Sequence, residues 1–249
     1  MINRLLLVVL PTSLLVLPHV FHLAWADSEF YFAKESGAVE IITAILLAIA
    51  IAAVLYLLIK LLTANKQAGT IHYLKLSILW TVIFGLGCIY FLGEEISWGQ
   101  HLGGWETPDA WKEVNDQYET NLHNTSGWLD QIPRTILTIG IICGGVIFPL
   151  LQRGKSQGRW GEDFLIHFMP SKNCIWAGVC VVIMEVTLIV AKITDTTLLP
   201  NLGGEVKESL IAMFLLVYIA DFADRVLNPS TASDPNPALI TPQRAPTSA

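Results

Sequence analysis

The sequence predicts an all-α polytopic membrane bundle of about six transmembrane helices. Three observations carry that reading. The 249 residues are 53% hydrophobic and only 14% charged, with a mean hydropathy of +0.54. Several near-continuous apolar runs approach the roughly 20 residues a helix needs to cross a bilayer. Lys and Arg are divided unevenly between the loops that separate those runs. The chain reads as a single transmembrane domain, residues 1–227. A tail at 228–249 follows, and its Pro, Ser and Thr content predicts disorder.

The first apolar run, 5–25, contains Pro11 and Pro18, each of which bends a helix. Asn3-Arg4 ahead of it and Ala24-Trp25-Ala26 behind it also fit a cleaved signal peptide. The length of the run favours a retained span. Further spans are expected at about 39–62, 71–92, 136–151, 174–194 and 209–226. One set of loops and ends holds Arg4, Lys60, Lys66, Lys75, Arg153, Lys155, Arg159, Lys172, Arg225 and Arg244. The other holds only Lys34, Lys112, Arg134, Lys192 and Lys207. The positive-inside rule makes the first set cytoplasmic. The C-terminus is then cytoplasmic and the 94–133 loop extracytoplasmic. Most acids lie on the extracytoplasmic side, while Glu185 sits in the middle of its span. A net charge of −6 argues against nucleic acid as a partner. Cys88, Cys143, Cys174 and Cys180 all fall inside apolar runs and read as small hydrophobes. His167 and the other isolated histidines receive no role.

The stretch 93–124 (GEEISWGQHLGGWETPDAWKEVNDQYETNLHN) stands apart from the spans around it. Glu94 and Glu95 lie at or just inside a membrane boundary, where charge is costly and points to function. If the preceding helix continues, Glu94, Ser97 and His101 share one face at i, i+3 and i+7. Gly103-Gly104 ends that arm. A second arm starts with Thr107 as N-cap and Pro108 at N1. On it Asp116, Glu119 and His123 form one stripe, and Trp111, Val114 and Tyr118 another. The two arms are expected to form an amphipathic hairpin at 94–124. Paired carboxylates suit general acid–base work, and carboxylates with imidazoles can ligate a divalent ion such as Zn²⁺. The expected site therefore has Glu94, Glu95, Ser97 and His101 as catalytic groups. Glu95, Glu119 and His123 are expected as metal ligands. Trp98, Gln100, Asn115, Gln117, Asn121 and Asn124 would bind polar substrate groups. Glu35, Glu40 and Glu185 are further acidic candidates.

The segments Gly93–Gln100 (GEEISWGQ) and Glu119–Asn124 (ETNLHN) resemble a family of bacterial polytopic membrane proteins without an assigned activity. The resemblance runs from about Glu35 through the last span. It implies a multipass protein of the bacterial inner, or plasma, membrane. Ser97-x-x-x-His101 is also similar, more faintly, to the Ser-x-x-x-His of alkaline-ceramidase-type membrane hydrolases. Those enzymes carry a His-x-x-x-His pair in their last helix, where this chain has Tyr218, Asp221 and Asp224.

The function expected from these features is a membrane-embedded hydrolase or transferase. It would act on a lipid or lipid-linked headgroup at the extracytoplasmic face, with the bilayer itself as partner. Two readings from other classes are an ion-coupled transporter, with Glu185 on the pathway, and a non-catalytic membrane assembly partner.

Overall fold

A computed structural model describes residues 4–24, 37–63, 73–115, 120–122, 125, 127–151, 166–195 and 200–228. Among them the chain is helical and contains no strand. The long helices are α1 (Arg4–Ala24), α2 (Ala38–Thr63), α3 (Leu74–Glu95), α4 (Gly127–Gly140), α5 (Ile175–Ile193) and α6 (Pro200–Leu227). From α4 the chain continues through a π-helical stretch, Ile141–Ile147, into a last α turn, Phe148–Leu151. Five segments are long and apolar enough to cross a membrane: Leu5–His22, Ala38–Thr63, Leu74–Glu95, Ile132–Leu151 and Lys172–Ile193. Helix α6 carries too many charges to join that set, yet it lies at the centre of the bundle.

The bundle is built around α6. Val206, Leu210, Ile211, Ala212, Ile219 and Phe222 are almost wholly buried. Helix α2 packs along α6, α3 packs on α2, and α1 and α5 close the other side. The outer faces of α2, α3 and α5 present Ile41, Ile45, Leu55, Ile83, Leu86, Ile183 and Val186 to the surroundings. Such faces suit lipid, where helix association depends on close packing rather than on hydrophobic burial. Small residues supply that packing. A Cβ on Gly145 would lie 2.4 Å from the Phe214 ring, and one on Gly178 would lie 2.8 Å from Val146. The π-helical stretch thus sits tightly against α5 and α6.

Polar contacts fix the register. Thr43 and Ser209 hydroxyls lie 2.6 Å apart, and Ser209 also reaches the Val39 carbonyl, tying α2 to α6. Helix α1 packs on α5 and α6, with Leu7, Pro11 and Pro18 buried on one face. Trp176 Nε1 donates to Thr12 Oγ1 at 2.9 Å across the α1–α5 contact. Of the cysteines, Cys88, Cys174 and Cys180 are buried, whereas Cys143 is exposed. Residues 229–249 lie outside the described residues.

The 94–124 stretch departs from the expected hairpin in two ways. Helix α3 ends at Glu95, and Ser97, Trp98 and Gly99 follow with φ of 46°, 54° and 94°. Glu94, Ser97 and His101 therefore do not share a helical face. Left-handed backbone costs roughly 1–2 kcal/mol per non-glycine residue. It is held because the turn folds the Trp98 indole back over the helix end. Trp98 Nε1 donates to Glu94 Oε1 at 2.8 Å, and the ring covers Gly93, where a Cβ would meet it at 2.9 Å. The arms are also short: Gln100–Gly103, ended by Gly104 at φ 65°, and Asp109–Lys112, with Pro108 rather than Thr107 at the N-cap. Thr107 instead accepts from Gln100 Nε2 at 2.7 Å. The second arm stops because Asn115 is buried and donates to both the carbonyl and the side-chain oxygen of Asn121. Of the expected Trp111–Val114–Tyr118 stripe, Trp111 lies on the short arm and Val114 follows it, exposed, while Tyr118, like Asp116, lies outside the described residues.

Candidate functional site

The adjacent carboxylates of Glu94 and Glu95 serve different partners. Both are buried, at 4% and 7% exposure. Glu94 Oε2 accepts from the backbone N–H of Leu122 at 2.8 Å, so this residue anchors the returning loop. Other expected site residues knit the same loop together. Gln100 Oε1 accepts from the Thr120 N–H, Thr120 Oγ1 donates to the Ser97 carbonyl, and Asn121 Nδ2 donates to Ser97 Oγ. Ser97, Gln100, Asn115 and Asn121 are therefore engaged in holding the loop to the end of α3. Trp98 is half exposed, as are Trp105 and, more so, Trp128. That is the placement of an aromatic belt. Glu35, Gln117, Glu119, His123 and Asn124 lie outside the described residues, as does the side chain of His101. Among the described residues no three His, Cys, Asp or Glu side chains come together as metal ligands. The Zn²⁺ site expected from Glu95, Glu119 and His123 gains no support from them.

Glu95 turns the other way, into the bundle. Its carboxyl is hydrogen-bonded to that of Glu208 on α6, with Glu205 and Arg134 in electrostatic reach. Two carboxyl groups brought this close can share a proton. Arg134 Nη1 on α4 lies 2.7 Å from Glu208 Oε1. Glu40, in the first turn of α2, adds to the charge around Glu205. Three helices thus deliver Glu95, Glu208 and Arg134 to one place, with Glu205 and Glu40 around them. On the neighbouring face of α6, Lys207 Nζ lies 3.0 Å from Glu185 Oε2 on α5. That contact is a charge pair without the alignment of a hydrogen bond, since the same oxygen has no hydrogen-bond partner. Glu185 therefore has a cation beside it in mid-span.

By sequence Glu205, Lys207 and Glu208 count among the extracytoplasmic charges of the loop before the last span, outside the expected site. The helix instead begins at Pro200. The available signal was the segment Glu205–Ser209 (EVKES) immediately ahead of an apolar run, with a proline and two glycines before it. Those acids fall on a helix once Pro200 is read as its first residue.

The charged cluster closes one end of a long groove of about 720 Å³. Helix α3 forms one wall, through Leu76, Leu79, Ile83, Gly87 and Tyr90. Arg134, Leu137, Gly140, Ile141 and Gly144 form the other. Ile211, Phe214, Leu215 and Tyr218 of α6 are the floor, and Phe168, Met169 and Pro170 close the far end. Leu76, Leu79 and Ile83 line the groove yet remain exposed, so it opens sideways. From Leu76 to Glu95 the wall runs about 28 Å at 1.5 Å per residue, close to the depth of a bilayer's hydrocarbon core. Glycines set its width: a Cβ added at Gly87 or at Gly140 meets nothing within 4 Å.

The other end of the bundle holds a second buried acid. Asp221 Oδ1 accepts from Ser171 Oγ at 2.7 Å and from Asn173 Nδ2 at 2.8 Å. Its Oδ2 accepts from Arg225 Nε at 2.9 Å. Arg225 also donates to the carbonyls of Ile166, His167 and Met169. Nearby, Trp80 Nε1 donates to Tyr218 Oη, which donates to the Phe168 carbonyl, and Ser77 Oγ lies 2.9 Å from His167 Nε2. These contacts bind the segment around 166–173 to α3 and α6.

Fold and groove define the class: a polytopic all-α membrane protein with a lateral apolar groove capped by charge. Comparison with family models, curated proteins and solved structures returns no match.

Proposed function

We propose that this is a multipass protein of the bacterial inner membrane that acts as a hydrolase or transferase on a lipid or lipid-linked substrate at the extracytoplasmic face. The observation that carries the reading is the groove between α3 and α4, which ends on Glu95, Glu208 and Arg134. A lipid chain enters sideways and lies along Leu79, Ile83 and Leu137, and its headgroup stops at the carboxyl pair. There the two carboxyls, holding one proton between them, supply a base and an acid in one step. The first takes a proton from an attacking hydroxyl or water, and the second returns one to the leaving group. The Arg134 guanidinium stabilises charge developing on oxygen. The loop anchored by Glu94 and Trp98 covers this end against water.

The test is turnover. The full chain, reconstituted with a bacterial lipid extract, should deplete a lipid class that lipid mass spectrometry identifies. Glu95→Gln and Glu208→Gln should leave the extract unchanged. Identical lipid profiles with the wild type and Glu95→Gln would overturn the enzymatic reading. The transporter reading rests on Glu185, which lies 3.0 Å from Lys207; we read that ion pair as structural. Glu185→Gln should therefore leave function nearly intact.

A further inference from the structure

The charged end of the groove is lopsided, and the imbalance selects the headgroup. Glu94 and Glu95 line the groove, and Glu208, which does not line it, interacts with Glu95 from α6. Glu205 adds to the same side. Against them the groove lining, among the described residues, offers the cation Arg134, which already sits 2.7 Å from Glu208. A phosphate or carboxylate head entering here would meet carboxylates before it met a guanidinium. In a water-poor site that like-charge contact is strongly unfavourable. An ammonium head would meet the Glu95 carboxyl at the end of the groove and could pair with it directly.

Resting on the reading of the groove as a lipid site, we infer that its occupant is a membrane-derived single-chain amphiphile with a cationic amine head. The chain lies in the Gly87–Gly140 channel, and the ammonium is held by Glu95, with the charge of Glu208 nearby. The apolar length of the groove accounts for the chain and the acid excess for the head.

The experiment measures dissociation constants of the detergent-solubilised full chain for three probes of one chain length: hexadecylamine, hexadecanol and hexadecyl phosphate. Adducts are read by native mass spectrometry at neutral pH. The amine should bind roughly tenfold or more tighter than the alcohol, and the phosphate weakest of the three. Glu95→Gln and Glu208→Gln should each shrink the amine's advantage while leaving the alcohol unchanged. A phosphate that binds as well as the amine, or an amine preference unchanged in both variants, would overturn the head assignment and leave the groove standing. If none of the three binds the wild type, the lipid-groove reading itself fails.

Discussion

The two ends of the bundle each bury an acid beside an arginine, and they resolve the charge differently. At the Arg225 end, Asp221 accepts three side-chain donors, and Arg225 spends its remaining donors on three carbonyls. Acid and base are matched there, as in a structural clasp. At the Arg134 end, Glu95, Glu205 and Glu208 gather around one guanidinium, with Glu40 close by. Among the described residues acids outnumber the base there, and Glu95 borders an open groove rather than packed side chains. Clustered acids at an apolar boundary must share a proton or meet a cation. We read the Arg134 end as the one where a ligand binds.

The contrast makes its largest prediction at the clasp. Asp221→Asn cannot satisfy the donors of Ser171, Asn173 and Arg225 together. It should lower stability by about 3–5 kcal/mol in thermal or denaturant unfolding. A loss as small as that at the other end would erase the distinction. Next in size is the pair Gly145→Ala and Gly140→Ala. The first drives a Cβ to 2.4 Å from Phe214 and should cost about 1–3 kcal/mol. The second projects into the open groove and should be neutral or gain up to about 1 kcal/mol of helix propensity. Smallest is Glu95→Gln, which removes surplus acid while keeping a hydrogen-bonding group. Unfolding should show a change within about 1 kcal/mol, with the effect confined to function. Topology sharpens the same contrast. A cysteine at Asp109 should react with an impermeant thiol reagent in intact cells. Labelling only after lysis would put the acid-rich end on the cytoplasmic side.

The spans were legible because each is an apolar run long enough to cross a bilayer, and Glu94 and Glu95 were legible as charge at a span's end. What stayed hidden depends on partners distant in sequence. Helix α6 begins at Pro200 rather than at 209, because Glu208 and Lys207 are satisfied by Arg134 and Glu185 on other helices. A window along the chain sees only unpaired charge there. Similarly, Ser97 and Trp98 take left-handed backbone because the indole bonds to Glu94 and rests on Gly93, which no local pattern shows. That the adjacent Glu94 and Glu95 serve different partners was hidden for the same reason. Neighbours on a helix lie about 100° apart, so one faces the loop and the other faces α6.

The most direct test is whether the groove holds a lipid chain. Gly140→Leu and Gly87→Leu each place a side chain in that channel at positions with free space, without straining the helix. Native mass spectrometry of the wild type should show a bound single-chain amphiphile. Both variants should lose it while unfolding at the wild-type temperature. Equal lipid adducts in the wild type and both variants would contradict the account.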